Sequence, residues 1–370
     1  MSVKYSAPGK LFISGEWAIL EVGNFGLVAA VNNRVHVSID DHDHGISVTA
    51  EEFGVHNIHA MYENGKIIID ADEKTQGTLK LLGESMAVSL RFLSDHGIHA
   101  KPFSIRTTSR DTQFEVNGTL KKVGFGSSAA VCVATVAALL DHHGYHSSKE
   151  EIYKLATIAH YYAQGKVGSA FDVAASTFGG LFVYSRFDPA WLTAKIDKGE
   201  SLAAIVKEKW HSLVIEPIEV PHDFHLLVGW TGESFSTSNA IKQMNEFKAA
   251  NRTEYDRLFR EIGSVAKNAI HAFKENKYTD FYLYLIENEA LLKKLGDTSG
   301  VNIETPELAK LSEIAIDCGA AGKLSGSGGD CGIAVSFDKD VAADIVAKWK
   351  EAGLYPLDVT IDREGVRNDF

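Results

Sequence analysis

The sequence has few cysteines and a deficit of basic residues. Its 370 residues include only Cys132, Cys318 and Cys331. An odd number of widely spaced cysteines favours reduced thiols in a cytoplasmic protein over a disulfide framework. Lys and Arg total 37 against 49 Asp and Glu, a net charge of −12. This balance excludes a broad basic surface for nucleic acid, so local lysines must supply any phosphate binding.

The chain also lacks segments typical of membrane or secreted proteins. Its first residues, M-S-V-K-Y-S-A-P-G-K, contain no apolar core of a signal peptide. The apolar run Val131–Leu140 is shorter than the roughly 20 residues that span a bilayer. We therefore expect a cytoplasmic protein with no membrane partner, either a monomer or a homodimer. Its length and its 45% hydrophobic content predict two domains with full cores.

Two common nucleotide-binding motifs are missing as well. No Gly-Lys-Ser/Thr follows a glycine loop at the spacing of a Walker motif. The dinucleotide fingerprint G-x-G-x-x-G is absent from the first glycine loop, which disfavours a Rossmann site.

That first loop, Gly124–Ala130, has the sequence G-F-G-S-S-A-A and runs directly into the apolar segment Val131–Leu140. An apolar helix is a buried helix, and its first turn has four unpaired N–H groups and a positive dipole end. Such a terminus is suited to binding phosphate. The alternative is a serine that simply caps a core helix, and the loop alone does not decide between the two.

The hydrophobic pattern predicts an α+β protein. Alternation predicts strands at Val35–Ile39 and Ile46–Val48, and Asn64-Gly65 predicts a hairpin. Helical spacing over Leu79–Leu93 predicts an amphipathic helix, and Ser148 begins a capping box.

Between these elements, residues 109–122 read as a polar loop. We place the domains at residues 1–186 and 187–370, with Arg186–Trp210 as an insertion or linker containing one helix.

Two charged residues stand in unusual places. Lys10 follows the turn Pro8-Gly9 and begins an apolar run, so its charge must either reach solvent or meet an anion. Asp172 opens a helix of small residues after a glycine-rich turn, where an acid could also simply complement the helix dipole. A second glycine loop, Gly322–Gly332, has more glycines than a tight strand connection requires.

The order of these motifs resembles the GHMP small-molecule kinases along nearly the whole chain. The resemblance rests on Pro8-Gly9-Lys10 with Gly15-Glu16, on Gly124–Ala130 and on the late glycine loop. Three further stretches resemble the fungal and bacterial members that phosphorylate phosphomevalonate: Ala163–Asp172, Gly229–Ser238 and Gly329–Ala334. In one departure, two glycines precede Asp330 where the family usually has three.

The resemblance implies a two-domain α+β fold with the active site in the cleft between the domains. It implies Lys10 and Asp172 as catalytic residues, and Ser128 as a ligand of Mg²⁺. The implied ATP-binding residues are Lys122, Gly124, Gly126, Ser127, Ser128 and Ala129. The implied substrate-binding residues are Lys166, Ser169, Ser236, Thr237, Ser238, Lys323, Ser325, Gly326, Ser327 and Gly328. Ser236–Ser238 could equally form a plain helix cap.

The reaction implied is transfer of the γ-phosphoryl group of ATP to the phosphate of 5-phosphomevalonate, which yields 5-diphosphomevalonate and ADP in the mevalonate route to isoprenoids. Three alternatives stay open: a kinase of the same superfamily acting on an alcohol such as mevalonate or homoserine, a related decarboxylase, and a non-catalytic nucleotide sensor.

Overall fold

The computed structural model describes residues 2–109, 113–116, 119–233, 235 and 237–369. The strands in the order of the chain are β1 Ser2–Ser14, β2 Gly26–Asp41, β3 Ile46–Ala50, β4 Val55–Glu63, β5 Lys66–Ile69, β6 Phe103–Thr108, β7 Gln113–Val116, β8 Thr119–Lys122, β9 Leu181–Ser185, β10 Val214–Ile218, β11 His225–Trp230, β12 Ala321–Leu324, β13 Cys331–Ser336, β14 Tyr355–Leu357 and β15 Arg367–Asn368. The helices are α1 Glu73–Thr78, α2 Lys80–Asp95, α3 Ser127–His142, α4 Lys149–Ala163, α5 Phe171–Phe178, α6 Pro189–Asp197, α7 Leu202–Lys207, α8 Thr237–Ala250, α9 Arg252–Lys274, α10 Tyr278–Ser299, α11 Pro306–Asp317 and α12 Lys339–Glu351.

The larger sheet has the strand order β10-β9-β2-β6-β3-β4-β5, with β1 paired to β2 and β15 paired to β1. β1 and β2 run antiparallel along almost their full lengths, and the register shifts between Pro8 and Gly9. Proline cannot donate a ladder hydrogen bond, so a bulge at this point is expected. The turn predicted at Pro8-Gly9 is therefore a bulge within one continuous strand.

Both faces of this sheet are covered near β1. Phe12 packs into a core that includes the apolar side chains of α3, while its neighbours Leu11 and Ile13 pack into a core shared with β11 and β13. α3 is buried along almost all of its length, as its sequence predicted. The alternation of β1 thus places one strand between two layers and holds the domains together.

The second sheet has the order β12-β13-β11-β14. Beside it lie α8 to α12, of which α9 carries a continuous apolar face on one side. Within the described ranges of the chain, no helix combines the length and apolarity needed to cross a membrane.

Most of the local predictions are confirmed. β4 and β5 form the hairpin at Asn64-Gly65, α2 covers the predicted amphipathic helix, and Ser148 and Glu151 make the capping box of α4. Two local predictions are wrong. The polar segment before Lys122 contains the β7–β8 hairpin, and residues 186–210 contain two helices, α6 and α7.

The boundary at residue 186 stays a prediction, and the pairing of strands favours a later one. β10 pairs with β9 in the larger sheet, and Phe187, Leu192 and Trp210 belong to the same core as α3. We propose that the first domain extends to residue 218 and also includes β15, which pairs with β1.

Candidate active site

A cavity of about 440 Å³ lies between the two domains. The first domain contributes Lys10, the Gly124–Ser128 segment and Asp172, and the second domain contributes Thr237, Ser327 and Asp330. The two glycine loops, Lys10 and Asp172 are distant in the sequence, and the fold brings them to one cleft.

The N-terminus of α3 opens into this cavity. Gly126 occupies the N-cap position with φ 81°, in the left-handed region that glycine adopts without strain, and among the described residues no side chain caps the helix. The alternative that a serine caps α3 is therefore wrong, because Ser127 and Ser128 lie inside the first turn and line the cavity. Ala129 is fully buried, and its N–H donates to the Gly126 carbonyl over 3.1 Å.

Lys10 lies half-buried against this loop. Its ammonium donates to the carbonyl oxygen of Gly124 over 2.8 Å, and its backbone N–H donates to the carbonyl of Phe125, also over 2.8 Å. A Cβ on Gly126 would lie 3.0 Å from Cγ of Lys10. The glycine therefore lets the lysine stem pass close to the helix entry, and the ammonium reaches the cavity.

Asp330 lies in the second domain and packs against Gly124 of the first glycine loop. It was not among the predicted site residues. A Cβ on Gly124 would lie 2.3 Å from its Oδ2, and its Oδ1 accepts from the Cys331 N–H over 2.8 Å. Burial raises the pKa of Asp330, and the nearby Lys10 ammonium opposes that rise. Lys10 thus stands between a carbonyl of its own domain and a carboxylate of the other.

Asp172 lies in the first turn of α5, and its Oδ1 accepts from the Val173 N–H over 3.0 Å. Its Oδ2 lies 3.8 Å from Nε2 of His160, which is itself 3.4 Å from the Ser128 hydroxyl. His160 was not predicted, because a histidine among apolar residues in the last turn of a helix has the sequence pattern of a core residue.

Four predicted substrate-binding residues line the cavity: Ser169, Thr237, Gly326 and Ser327. The hydroxyls of Thr237 and Ser327 lie 2.9 Å apart and join the start of α8 to the second glycine loop.

Four others do not line it. Lys323 is fully buried and forms an ion pair with Glu16, so its predicted contact with substrate is not supported by its placement. The Ser325 hydroxyl bonds both backbone groups of Phe12. Gly328 packs on the backbone of Ile303, where a Cβ would not fit. The exposed Lys166 directs its ammonium toward Asp197, at 3.9 Å.

Three further predicted residues lie partly or wholly outside the described residues: Lys122, Ser236 and Ser238. Lys122 is the last residue of β8, and its side chain lies outside the described residues. The same holds for the Ser238 side chain in α8, and Ser236 lies outside the described residues altogether.

Two residues that line the cavity each have a buried polar atom without a hydrogen-bond partner among the described residues: Oε2 of Glu16 and Nε1 of Trp17. One is an acceptor and the other a donor. A buried polar atom left unpaired costs free energy, so the wall of the cavity carries local strain at these two residues.

The oxygen donors at the start of α3 and α5 fit Mg²⁺. In the part of the chain that the structure describes, no group of three or more His, Cys, Asp or Glu side chains could hold a metal. Mg²⁺ in phosphoryl-transfer sites takes one or two protein oxygens, and substrate phosphates and water supply the rest. The Ser128 hydroxyl and the Asp172 carboxylate, both beside His160, are oxygen donors of that kind.

Comparison with known proteins agrees with this geometry. Residues 87–180 match the N-terminal domain of GHMP kinases, and residues 269–354 match the GHMP kinase C-terminal domain. A phosphomevalonate kinase of Streptomyces sp. (strain CL190) is 30% identical over 97% of each chain.

Solved structures cover the chain almost completely. The Lin0012 protein from Listeria innocua superposes with a TM-score of 0.90 at 30% identity, over 100% of this chain and 99% of that one. Streptococcus pneumoniae phosphomevalonate kinase, in complex with phosphomevalonate and AMPPNP, superposes with a TM-score of 0.81 at 26% identity, over 98% and 99%. The predicted two-domain α+β fold is confirmed, and the chain belongs to the GHMP kinase family.

Proposed function

We propose that this protein is an ATP-dependent kinase that transfers the γ-phosphoryl group to the phosphate of 5-phosphomevalonate, giving 5-diphosphomevalonate and ADP in the mevalonate route to isoprenoids. The observation that carries the proposal is the single cavity that joins an uncapped helix N-terminus, Lys10 and Asp172. The Streptomyces relative and the Streptococcus pneumoniae complex support 5-phosphomevalonate as the acceptor.

ATP would bind with its phosphates at the start of α3. The free N–H groups of the first turn and the helix dipole favour negative charge at this point. Mg²⁺, held by Ser128 and the phosphates with Asp172 nearby, would supply charge neutralisation. Lys10 would add a positive charge at the loop that lacks a lysine of its own at the helix entry.

The acceptor determines what Asp172 must do. An alcohol needs a base to remove its proton, whereas a phosphate, with a second pKa of about 6, arrives largely ionised. Phosphoryl transfer then requires positioning and charge neutralisation more than covalent help. We therefore propose that Asp172 orients the reacting groups together with Lys10, and that it contributes little as a base.

The substrate would lie toward the second domain. Ser169, Gly326 and the bonded pair Thr237 and Ser327 supply hydroxyl and backbone groups there, and the N-terminus of α8 adds its dipole. We also propose a cytoplasmic location, since Cys132, Cys318 and Cys331 are all unpaired thiols.

A panel of acceptors tests the proposal. ADP formation is measured with ATP, Mg²⁺ and either 5-phosphomevalonate, mevalonate or homoserine, and release of CO₂ is followed in parallel. We expect turnover with 5-phosphomevalonate and a kcat/KM at least about 100-fold lower with mevalonate, because a site built for a charged group discriminates strongly against its absence. A preference for an alcohol, or CO₂ release, would replace the proposal, and an inactive protein would favour a sensor.

A further inference from the structure

One buried imidazole, that of His160, lies between a residue at the proposed ATP phosphates and a residue beside the proposed acceptor. His160 lies on α4, its side chain is 6% exposed, and its Nε2 is 3.4 Å from the Ser128 hydroxyl and 3.8 Å from Oδ2 of Asp172. The amide nitrogen of Gln164, one helical turn further on, lies 3.1 Å from the same ring nitrogen. A single atom of α4 therefore faces one group on α3 and one on α5.

These contacts join elements that would carry different reactants. Ser128 is in the first turn of α3, at the proposed phosphates of ATP, and Asp172 is in the first turn of α5, beside the proposed acceptor. The distance between a hydroxyl and a carboxylate on separate helices would otherwise depend only on how the helices pack. Misplacement of a reacting group by about 1 Å can cost about 100-fold in rate.

His143 shows what a purely structural histidine looks like in this chain. It is buried to a similar degree, and both of its ring nitrogens contact backbone groups: the Leu139 carbonyl at 2.9 Å and the Lys101 N–H at 3.2 Å. His160 differs because its ring nitrogen faces three side chains, all of which line the cleft.

We propose that His160 is a positioning residue that hydrogen-bonds the Ser128 hydroxyl through Nε2 and holds it beside the Asp172 carboxylate, which lies 3.8 Å from the same nitrogen. The inference rests on the proposed phosphoryl transfer at this site. It concerns the placement of the two groups and requires no change in the charge of the ring.

A matched pair of substitutions tests this role. Glutamine places its amide nitrogen the same number of bonds from Cα as Nε2 of histidine, whereas asparagine places it at the position of Nδ1. We expect His160→Gln to keep kcat within about threefold of the wild type, and His160→Asn to lower kcat by about 10- to 100-fold. KM for ATP and for 5-phosphomevalonate should change by less than about threefold in both variants, because uniform binding is not affected.

His143→Asn is the matched control, and it should leave kcat and both KM values unchanged. Melting temperatures are measured for all variants, and the dissociation constants of AMPPNP and 5-phosphomevalonate are measured by calorimetry. Unchanged dissociation constants in His160→Asn, with kcat reduced, support the proposal. If His160→Asn is too unstable to assay, full activity of His160→Gln supports the proposal and a loss in that variant contradicts it.

Several results would overturn the inference. They are equal losses in His160→Gln and His160→Asn, an unchanged kcat in both, or a loss confined to ligand binding. An inactive wild type would instead contradict the proposed function, so the two failures can be told apart. An active wild type with an unaffected His160→Asn variant contradicts this inference alone.

Discussion

Lys10 provides a positive charge at the point where the two domains and the first glycine loop meet. Lys10→Met keeps the apolar stem and removes the ammonium that now donates to the Gly124 carbonyl. We expect kcat to fall by about 100- to 1000-fold, the usual effect of removing one preorganised donor from a charged transition state. Steady-state ADP formation measures the loss.

The control for this change is Lys149→Met, since the Lys149 ammonium also donates to a backbone carbonyl, that of Glu364, away from the cavity. That variant should retain wild-type kcat. A Lys10→Met enzyme with kcat within about threefold of the wild type would remove Lys10 from the mechanism.

We expect Lys323 to affect the free energy of unfolding, whereas Lys10 affects kcat. Its ammonium is paired with Glu16 at almost zero exposure, so Lys323→Met leaves a buried carboxylate without its partner. We expect the free energy of unfolding in urea to fall by about 3–5 kcal/mol. A variant with wild-type stability and a raised KM for the acceptor would instead restore Lys323 to the substrate site.

The contrast between these lysines shows what sequence can reveal about single residues. Both lie beside glycine-rich segments, and that pattern alone predicts an anion for each. The partner of Lys323 is 307 residues away, and a buried ion pair has no local signature. His160 and Asp330 were missed for a related reason, because their roles depend on which elements pack together.

Among the elements, the two glycine loops touch directly through Gly124 and Asp330. Gly124 has ordinary backbone geometry, so Gly124→Ala tests crowding alone, with the new Cβ 2.3 Å from the Asp330 carboxylate. We expect a loss of about 1–3 kcal/mol in the free energy of unfolding from overpacking. The loss should be smaller in an Asp330→Ala background, where the carboxylate is gone. Urea titrations of the wild type, the two single variants and the double variant form a double-mutant cycle that measures the coupling.

Gly77→Ala in α1 is the reference, because nothing lies within 4 Å of its Cβ position. This change should be neutral or stabilising, since alanine is the better helix former. Equal effects of Gly124→Ala in the presence and absence of the Asp330 carboxylate would mean that the two loops do not press on each other.

Elements with a strong local signal were predicted well from the sequence. The apolar helix α3, the Asn64-Gly65 hairpin and the capping box of α4 depend on neighbouring residues, so pattern was sufficient. The β7–β8 hairpin was missed although the sequence carries a signal for it, since Phe114 and Val116 alternate with polar residues and are followed by Asn117-Gly118, a strong turn dipeptide. Only one helix was predicted where α6 and α7 lie, although each has a readable start signal: Asp188 caps α6 and Pro189 opens it, and Ser201 caps α7.

At the scale of the whole molecule, the two ends of the chain meet in the first domain. β15 pairs with β1 through Tyr5 and Asn368, and Asp369 accepts from the Ser6 hydroxyl. We therefore propose that the first domain also includes the terminal strand, because the last residues return to the first sheet. Pairing over more than 360 residues of separation has no counterpart in local periodicity, which is why the sequence suggested a simple boundary.

A buried ion pair also joins the terminal segment to the first sheet. Arg34 in β2 is paired with Asp362, and both side chains are less than a tenth exposed. Asp362→Asn keeps an oxygen for the N–H groups of Glu364 and Gly365 but removes the charge that offsets the guanidinium. Breaking a buried pair by neutralising one partner costs about 3–5 kcal/mol, so the urea midpoint should fall accordingly.

Asp358→Asn, at an exposed position in the same terminal segment, is the matched control and should leave the midpoint unchanged. Neither Arg34 nor Asp362 lines the cleft, so we expect Asp362→Asn to retain wild-type KM values at temperatures where it is folded. A variant as stable as the Asp358→Asn control would mean that the ion pair is not needed to hold the chain end, and that the pairing of β15 with β1 is sufficient.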